Sequence, residues 1–200
     1  MIDLETLGTT ADAVILSIGA VRFDLEEGRV FDSGPHDCCF YRAIEIDWQP
    51  GRRIDGDTLT WWMKQDAQAQ QVFTDPAKKI LAIALHQLAM WIDPQPGSMP
   101  TVWSNGADFD LPMLSHAYRQ HSQTPPWEPY AARCYRTYKN LPGARAVKVE
   151  RTGLHHNALD DAIYQAQHLC AIHAALFGRS CEMDGVEPFV PVSLHERAQP

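Results

Sequence analysis

Residues 1–7, MIDLETL, read as an apolar β-strand apart from two acidic positions, Asp3 and Glu5. AVILSIGAVRF (13–23) is apolar and β-branched, and VFDSGPHDCCFYRAIEI (30–46) contains strand-like stretches broken at Gly34-Pro35. LEEGR between them reads as a hairpin turn, so short connections join three strands as an antiparallel meander. DTLTWWMKQ (57–65) predicts a helix start capped by Asp57 or Thr58. DPAKKILAIALHQLAMWI (75–92) predicts an amphipathic helix with Pro76 in its first turn and Ile80, Ile83, Ala84, Gln87 and Met90-Trp91 along one face; DPQPGSMP ends it. TVWSNGADFDLPML passes from a strand (101–104) through a glycine turn into a helix near 110–121. After the loop QTPPWEP, ARCYRTYKNL (132–141) reads as a strand running into a helix. NALDDAIYQAQHLCAIHAAL (157–176) predicts a long helix with Asn157 as N-cap and Asp160 completing a capping box; Leu159, Ile163, Ala166 and Cys170 are its expected inward stripe. The order of elements predicts an α/β domain with a mixed sheet over residues 1–177, and a tail or arm over 178–200.

Composition changes this picture little. No run of about 18 apolar residues exists, which argues against a membrane span, and the start lacks a basic region followed by an apolar one, so a cytoplasmic protein is expected. Five cysteines with no CxxC spacing argue against a disulfide framework or a zinc knuckle. A formal net charge of −8 argues against a protein that coats a duplex by neutralising its phosphates. It does not exclude a nucleic-acid enzyme, because carboxylates that hold divalent cations make a chain acidic while the ions reverse the local sign.

The candidate chemistry lies in three acidic segments. Asp3 and Glu5 are two apart on the first strand, so they project from one face, where they repel each other unless a cation neutralises them. NGADFD offers Asp108 and Asp110 at a strand-to-helix junction, and HHNALDD offers His155, His156, Asp160 and Asp161 at a helix start. Open α/β sheets gather functional groups at such places. Convergence of the three segments would collect oxygen ligands suited to Mg²⁺ or Mn²⁺, and two such ions about 4 Å apart can flank a scissile phosphate. Spacing alone leaves His155/Asp160 and His156/Asp161 both open, since each satisfies H-x4-D.

DLET (3–6), NGADFD (105–110) and HNALDD (156–161) resemble, in order, the three motifs of the DEDDh branch of the DEDD 3′–5′ exonuclease superfamily. IDLETLGT, AVILSIGAV, WWMKQ, NGADFDLPML and HNALDDA together resemble a bacterial and phage subgroup of exoribonuclease-like proteins, some labelled exodeoxyribonuclease VIII-type. The resemblance implies a ribonuclease H-like fold. It selects His156 with Asp161, because Ala158 and Leu159 match only in that register, and Asp110 after the aromatic Phe109. It further implies two ions per site, with Asp3 bridging both, Glu5 and Asp161 on the nucleophile side, Asp110 on the second, and His156 as general base. Thr6, Leu7 and Phe109 would touch the terminal nucleotide. The implied partner is the 3′ end of a single strand, RNA rather than DNA, with nucleoside 5′-monophosphates released.

Asp3 lies nearer the start than in relatives, so either the start is misassigned or trimmed, or a very short first strand suffices. Trp61-Trp62 reads either as core or as a stacking platform for bases, and the basic run Arg133, Arg136, Lys139, Arg145, Lys148 and Arg151 either as a solvated face or as a guide for the phosphate backbone. The basic run and the tail are compatible with a homodimer. Two other functions fit the same residues: a phosphodiesterase for dinucleotides or small nucleotides, and an inert module that binds nucleic acid without cutting it.

Overall fold

The computed structural model describes residues 1–31, 38–92 and 100–178. The Gly34-Pro35 break, the segment DPQPGSM and all of the expected tail beyond Gly178 lie outside the described residues. Within them, the strands and helices run β1 (Ile2–Thr6), β2 (Ile15–Val21), β3 (Phe23–Asp24), β4 (Arg29–Val30), β5 (Cys39–Ala43), α1 (Gly56–Trp62), α2 (Leu81–Ile92), β6 (Val102–Ser104), α3 (Asp110–Gln120), β7 (Ala132–Cys134), α4 (Tyr135–Tyr138) and α5 (Ala158–Phe177).

Five strands form a mixed sheet in the order β5-β2-β1-β6-β7. β1, β2 and β5 are antiparallel, as the meander requires, while β6 joins β1 and β7 joins β6 in parallel. Antiparallel early strands, parallel later ones and flanking helices are the expected ribonuclease H-like arrangement. β3 and β4 close the LEEGR hairpin.

Alternation along the strands sorts the two faces. Ile2 and Leu4 of β1 and Ile18 and Ala20 of β2 join α2 and α3 in one core, with Leu81, Leu85, Leu88, Met113, Leu114 and Tyr118. On the other face Met1 and Val21 pack with Trp103, Tyr135 and the α5 residues Ala162, Ala166, Leu169 and Ile172. A third cluster at one end holds Leu7, Val14, Leu16, Trp62, Ala69 and Val72.

Several local expectations are corrected. α2 begins at Leu81, not near Pro76, because Lys79 is held extended: its N–H donates to Ala43 and its carbonyl accepts from Glu45, at 2.8 and 2.9 Å. The buried face of α2 is Leu81, Ala84, Leu85 and Leu88, whereas Ile80, Ile83 and Met90 are exposed; in a stretch apolar all round, periodicity chose the wrong face. Asp55, not Asp57 or Thr58, caps α1, accepting the Asp57 N–H. The buried stripe of α5 is Ala158, Ala162, Gln165, Ala166, Leu169, Cys170 and Ile172, so Ala166 and Cys170 point inward as expected while Leu159 and Ile163 lie on its flank.

Candidate active site

β1 has neighbours of opposite sense, β2 antiparallel and β6 parallel. Its ladder with β6 is confined to Ile2 opposite Ser104, after which the strands part, and such a parting leaves a crevice at the strand ends. Asp110, the first residue of α3, lies buried beneath it: Oδ1 accepts the Leu4 N–H at 3.1 Å. The residue is 1% exposed, and Oδ2 is buried with no hydrogen-bond partner among the described residues. Asp108, the alternative carboxylate, is exposed.

Asp3 and Glu5 leave β1 on the α5 side. Gln165, a polar residue in the inward stripe, donates from Nε2 to Asp3 Oδ1 at 2.7 Å. α5 comes this close because β2 carries Gly19 opposite Asp3. A Cβ on Gly19 would lie 2.1 Å from the Ala158 carbonyl carbon and 2.2 Å from the Leu159 nitrogen.

The start of α5 is built from side-chain caps. Asn157 accepts the N–H groups of Leu159 and Asp160 at 3.1 and 3.2 Å, as an N-cap should. Asp160 does not close the expected capping box; its carboxylate accepts the Leu154 N–H at 2.7 Å and so ties the preceding loop. Asp161 turns to the cleft, three residues after Ala158 and four before Gln165 on the helix edge facing the strand carboxylates. Its Oδ2 accepts the N–H of His156 at 3.1 Å, holding a residue whose φ is +61°. A left-handed backbone is uncommon for a side-chain-bearing residue and is kept only where the surroundings fix it.

One ligand atom each from Glu5, His156 and Asp161 lie within 4.8 Å of one another, a group able to hold a metal ion. With Asp3, Thr6, Asn105, Phe109, Tyr135, Tyr164 and Gln165 they line a cleft of about 680 Å³. The tryptophan pair divides its labour. Trp62 is core, 1% exposed, with its ring N–H on the Thr6 carbonyl at 2.8 Å. Trp61 is 40% exposed on the cleft wall, its ring centroid 4.7 Å from that of His156 in an edge contact. Of the three expected substrate contacts, Thr6 and Phe109 line the cleft, whereas Leu7 is turned into the third cluster and is 2% exposed. Of the basic run, Lys139 and Arg151 reach the cleft, and Arg151 ion-pairs with Asp161.

The electrostatics are those of crowded acids. Burial, then the carboxyls of Asp110 and Glu5, push Asp3 well above the usual range. Burial and Asp110 push Glu5 up to about 8, and burial pushes Asp110 up to about 7 against the downward pull of the Leu4 N–H. His156 is lowered by burial, by His155 and by Arg151.

Sequence reasoning did not single out Gly19, Gln165 or the contact of Trp61 with His156. Gln165 left a signal, a polar residue within an apolar helix stripe; the other two depend on which elements meet. A family model described as "3'-5' exoribonuclease Rv2179c-like domain" matches residues 1–173. No curated protein matches the chain. Among the described residues no helix is long and apolar enough to cross a membrane.

Proposed function

The chain belongs to the Rv2179c-like 3′–5′ exoribonuclease domain family, and from that premise we propose that it shortens single-stranded RNA from the 3′ end by hydrolysis, releasing nucleoside 5′-monophosphates. The observation that carries the reading is convergence: Asp3, Glu5, His156 and Asp161 line one cleft, and Asp110 underlies it.

The donor set fits hard divalent ions. Its members are carboxylates, Asp110 Oδ2 is buried with no hydrogen-bond partner among the described residues, and burial raises Asp3, Glu5 and Asp110, so a cation among them would favour their ionised forms. Asp3, Glu5, Asp110 and Asp161 would hold two Mg²⁺ or Mn²⁺ ions, which when bound polarise the phosphodiester and lower the pKa of water. The imidazole of His156, kept neutral near pH 7 by its lowered pKa, accepts the proton of the attacking water. The water oxygen bonds to the phosphorus of the terminal phosphodiester, the P–O3′ bond breaks, and O3′ takes a proton from solvent, leaving a 3′-hydroxyl on the shortened strand. Gln165 fixes the orientation of Asp3, and Asp161 fixes the backbone of His156. Trp61, exposed beside His156, offers a flat face to the terminal base.

The test is a panel of 5′-labelled RNA and DNA, single-stranded and duplex, with Mg²⁺, Mn²⁺ or EDTA, on the wild type and on Glu5→Gln. Metal-dependent laddering from the 3′ end of single-stranded RNA, lost in the variant at unchanged melting temperature, is expected. Unchanged laddering by Glu5→Gln would refute the mechanism. Equal rates on a dinucleotide and a twenty-mer would favour the small-substrate reading instead, and Mn²⁺ binding without cleavage the inert module.

A further inference from the structure

Arg151 brings a positive charge into the carboxylate cleft. One of its guanidinium nitrogens, Nη2, donates to Asp161 Oδ1, and also to the Leu154 carbonyl at 3.3 Å. The guanidinium carbon lies 4.9 Å from the centroid of the Tyr164 ring, and Nε is buried with no hydrogen-bond partner among the described residues. The group is thus held on Asp161 through a single nitrogen rather than by the two-pronged fork that makes Arg–carboxylate pairs strong. Because Asp161 Oδ2 is taken by the His156 N–H, Oδ1 is the oxygen left for an ion, and Arg151 occupies it.

We propose that Arg151 is a displaceable counter-ion: it neutralises Asp161 while the cleft lacks a divalent ion, yields that oxygen when the ion enters, and then binds the phosphate of the 3′ nucleotide. This rests on the reading of the carboxylates as ion ligands. A divalent cation and a guanidinium cannot share Oδ1 at contact distance without strong repulsion. Once displaced, the guanidinium can remain stacked on Tyr164, on the cleft wall where a phosphate must approach, and its planar donors match phosphate oxygens. The same charge thereby serves the empty site and the loaded one.

The experiment compares the wild type with Arg151→Gln and Arg151→Lys by calorimetric titration of Mn²⁺ and by KM and kcat on 5′-labelled single-stranded RNA. Arg151→Gln should bind Mn²⁺ about threefold to tenfold more tightly, the range for freeing a carboxylate from a partly buried pair. Its KM should rise about tenfold or more, with kcat changed less, as a charge-assisted phosphate contact is lost; Arg151→Lys should recover part of the KM. Mn²⁺ affinity equal to or weaker than wild type would overturn the proposal, because a merely supporting role for Arg151 weakens binding; an unmoved KM would overturn it as well. Should Arg151→Gln fail to fold, the Nε–H resonance of Arg151 in the wild type decides, since it must shift on titration with Mg²⁺, and a signal that stays put overturns the displacement. A wild type that binds no Mn²⁺ at all fails the ion reading itself, a distinct result.

Discussion

Gly19→Ala perturbs the site without altering any polar side chain. The added methyl would meet the Ala158 carbonyl carbon at 2.1 Å, where ordinary contact begins at 3.4 Å, so the start of α5 must retreat by 3.4 − 2.1 = 1.3 Å. The obstacle is backbone, which cannot rotate aside. Overpacking of this kind costs about 1–3 kcal/mol, or roughly 2–12 °C in melting temperature for a chain of this size. The retreat carries Asp161 and the loop bearing His156 away from Glu5, and a misplacement of about 1 Å in a reacting constellation lowers rates on the order of a hundredfold. The assay is kcat on labelled RNA at least about 12 °C (the upper limit of that shift) below the variant's own melting point, beside a thermal melt by circular dichroism. A folded variant with wild-type kcat would refute the argument that close approach of α5 to β2 sets the geometry.

The crowded acids make stability depend on pH. Glu5 and Asp110 have ordinary values of 4.5 and 3.8 raised to about 8 and about 7 in the fold; a raised acid favours the folded state below its unfolded value and loses that contribution as pH climbs through the folded one. The metal-free protein should therefore melt lower at pH 9 than at pH 6, and Mg²⁺ should raise the melting temperature more at pH 9; equal metal-induced shifts at the two pH values, by differential scanning fluorimetry with and without EDTA, would contradict this. Asn157→Ala removes the cap of α5 and should cost about 1 kcal/mol, read as a drop of about 2–4 °C in a thermal melt.

What the sequence made legible was whatever local chemistry repeats. Asp3 and Glu5 stand out because an acidic pair interrupts an apolar strand, Asn157 because an N-cap has a short list of residues, and the mixed sheet because three β-rich segments precede alternating strand and helix. Assigning Asp110 over Asp108 and Asp161 over Asp160 needed the family pattern, and the fold gives the physical difference: Asp108 is exposed, and Asp160 is spent on the Leu154 N–H. The rest was hidden because it depends on contacts between distant segments. The extended stretch at Lys79 is imposed by β5, the left-handed backbone of His156 by Asp161, and the need for glycine at 19 by a helix start well over a hundred residues away.

The hairpin of β3 and β4 has a practical consequence. Glu5 stands opposite Ser17 at the beginning of β2, whereas the hairpin continues from the other end of β2, past Val21. At its turn Gly28 has φ +66°, and among the described residues nothing lies within 4 Å of where a side chain would start. A dye, a tether or an inserted peptide attached in that turn would hang from the back of the molecule, so the protein could be fixed to a bead or a slide by this point with the carboxylate cleft facing solution.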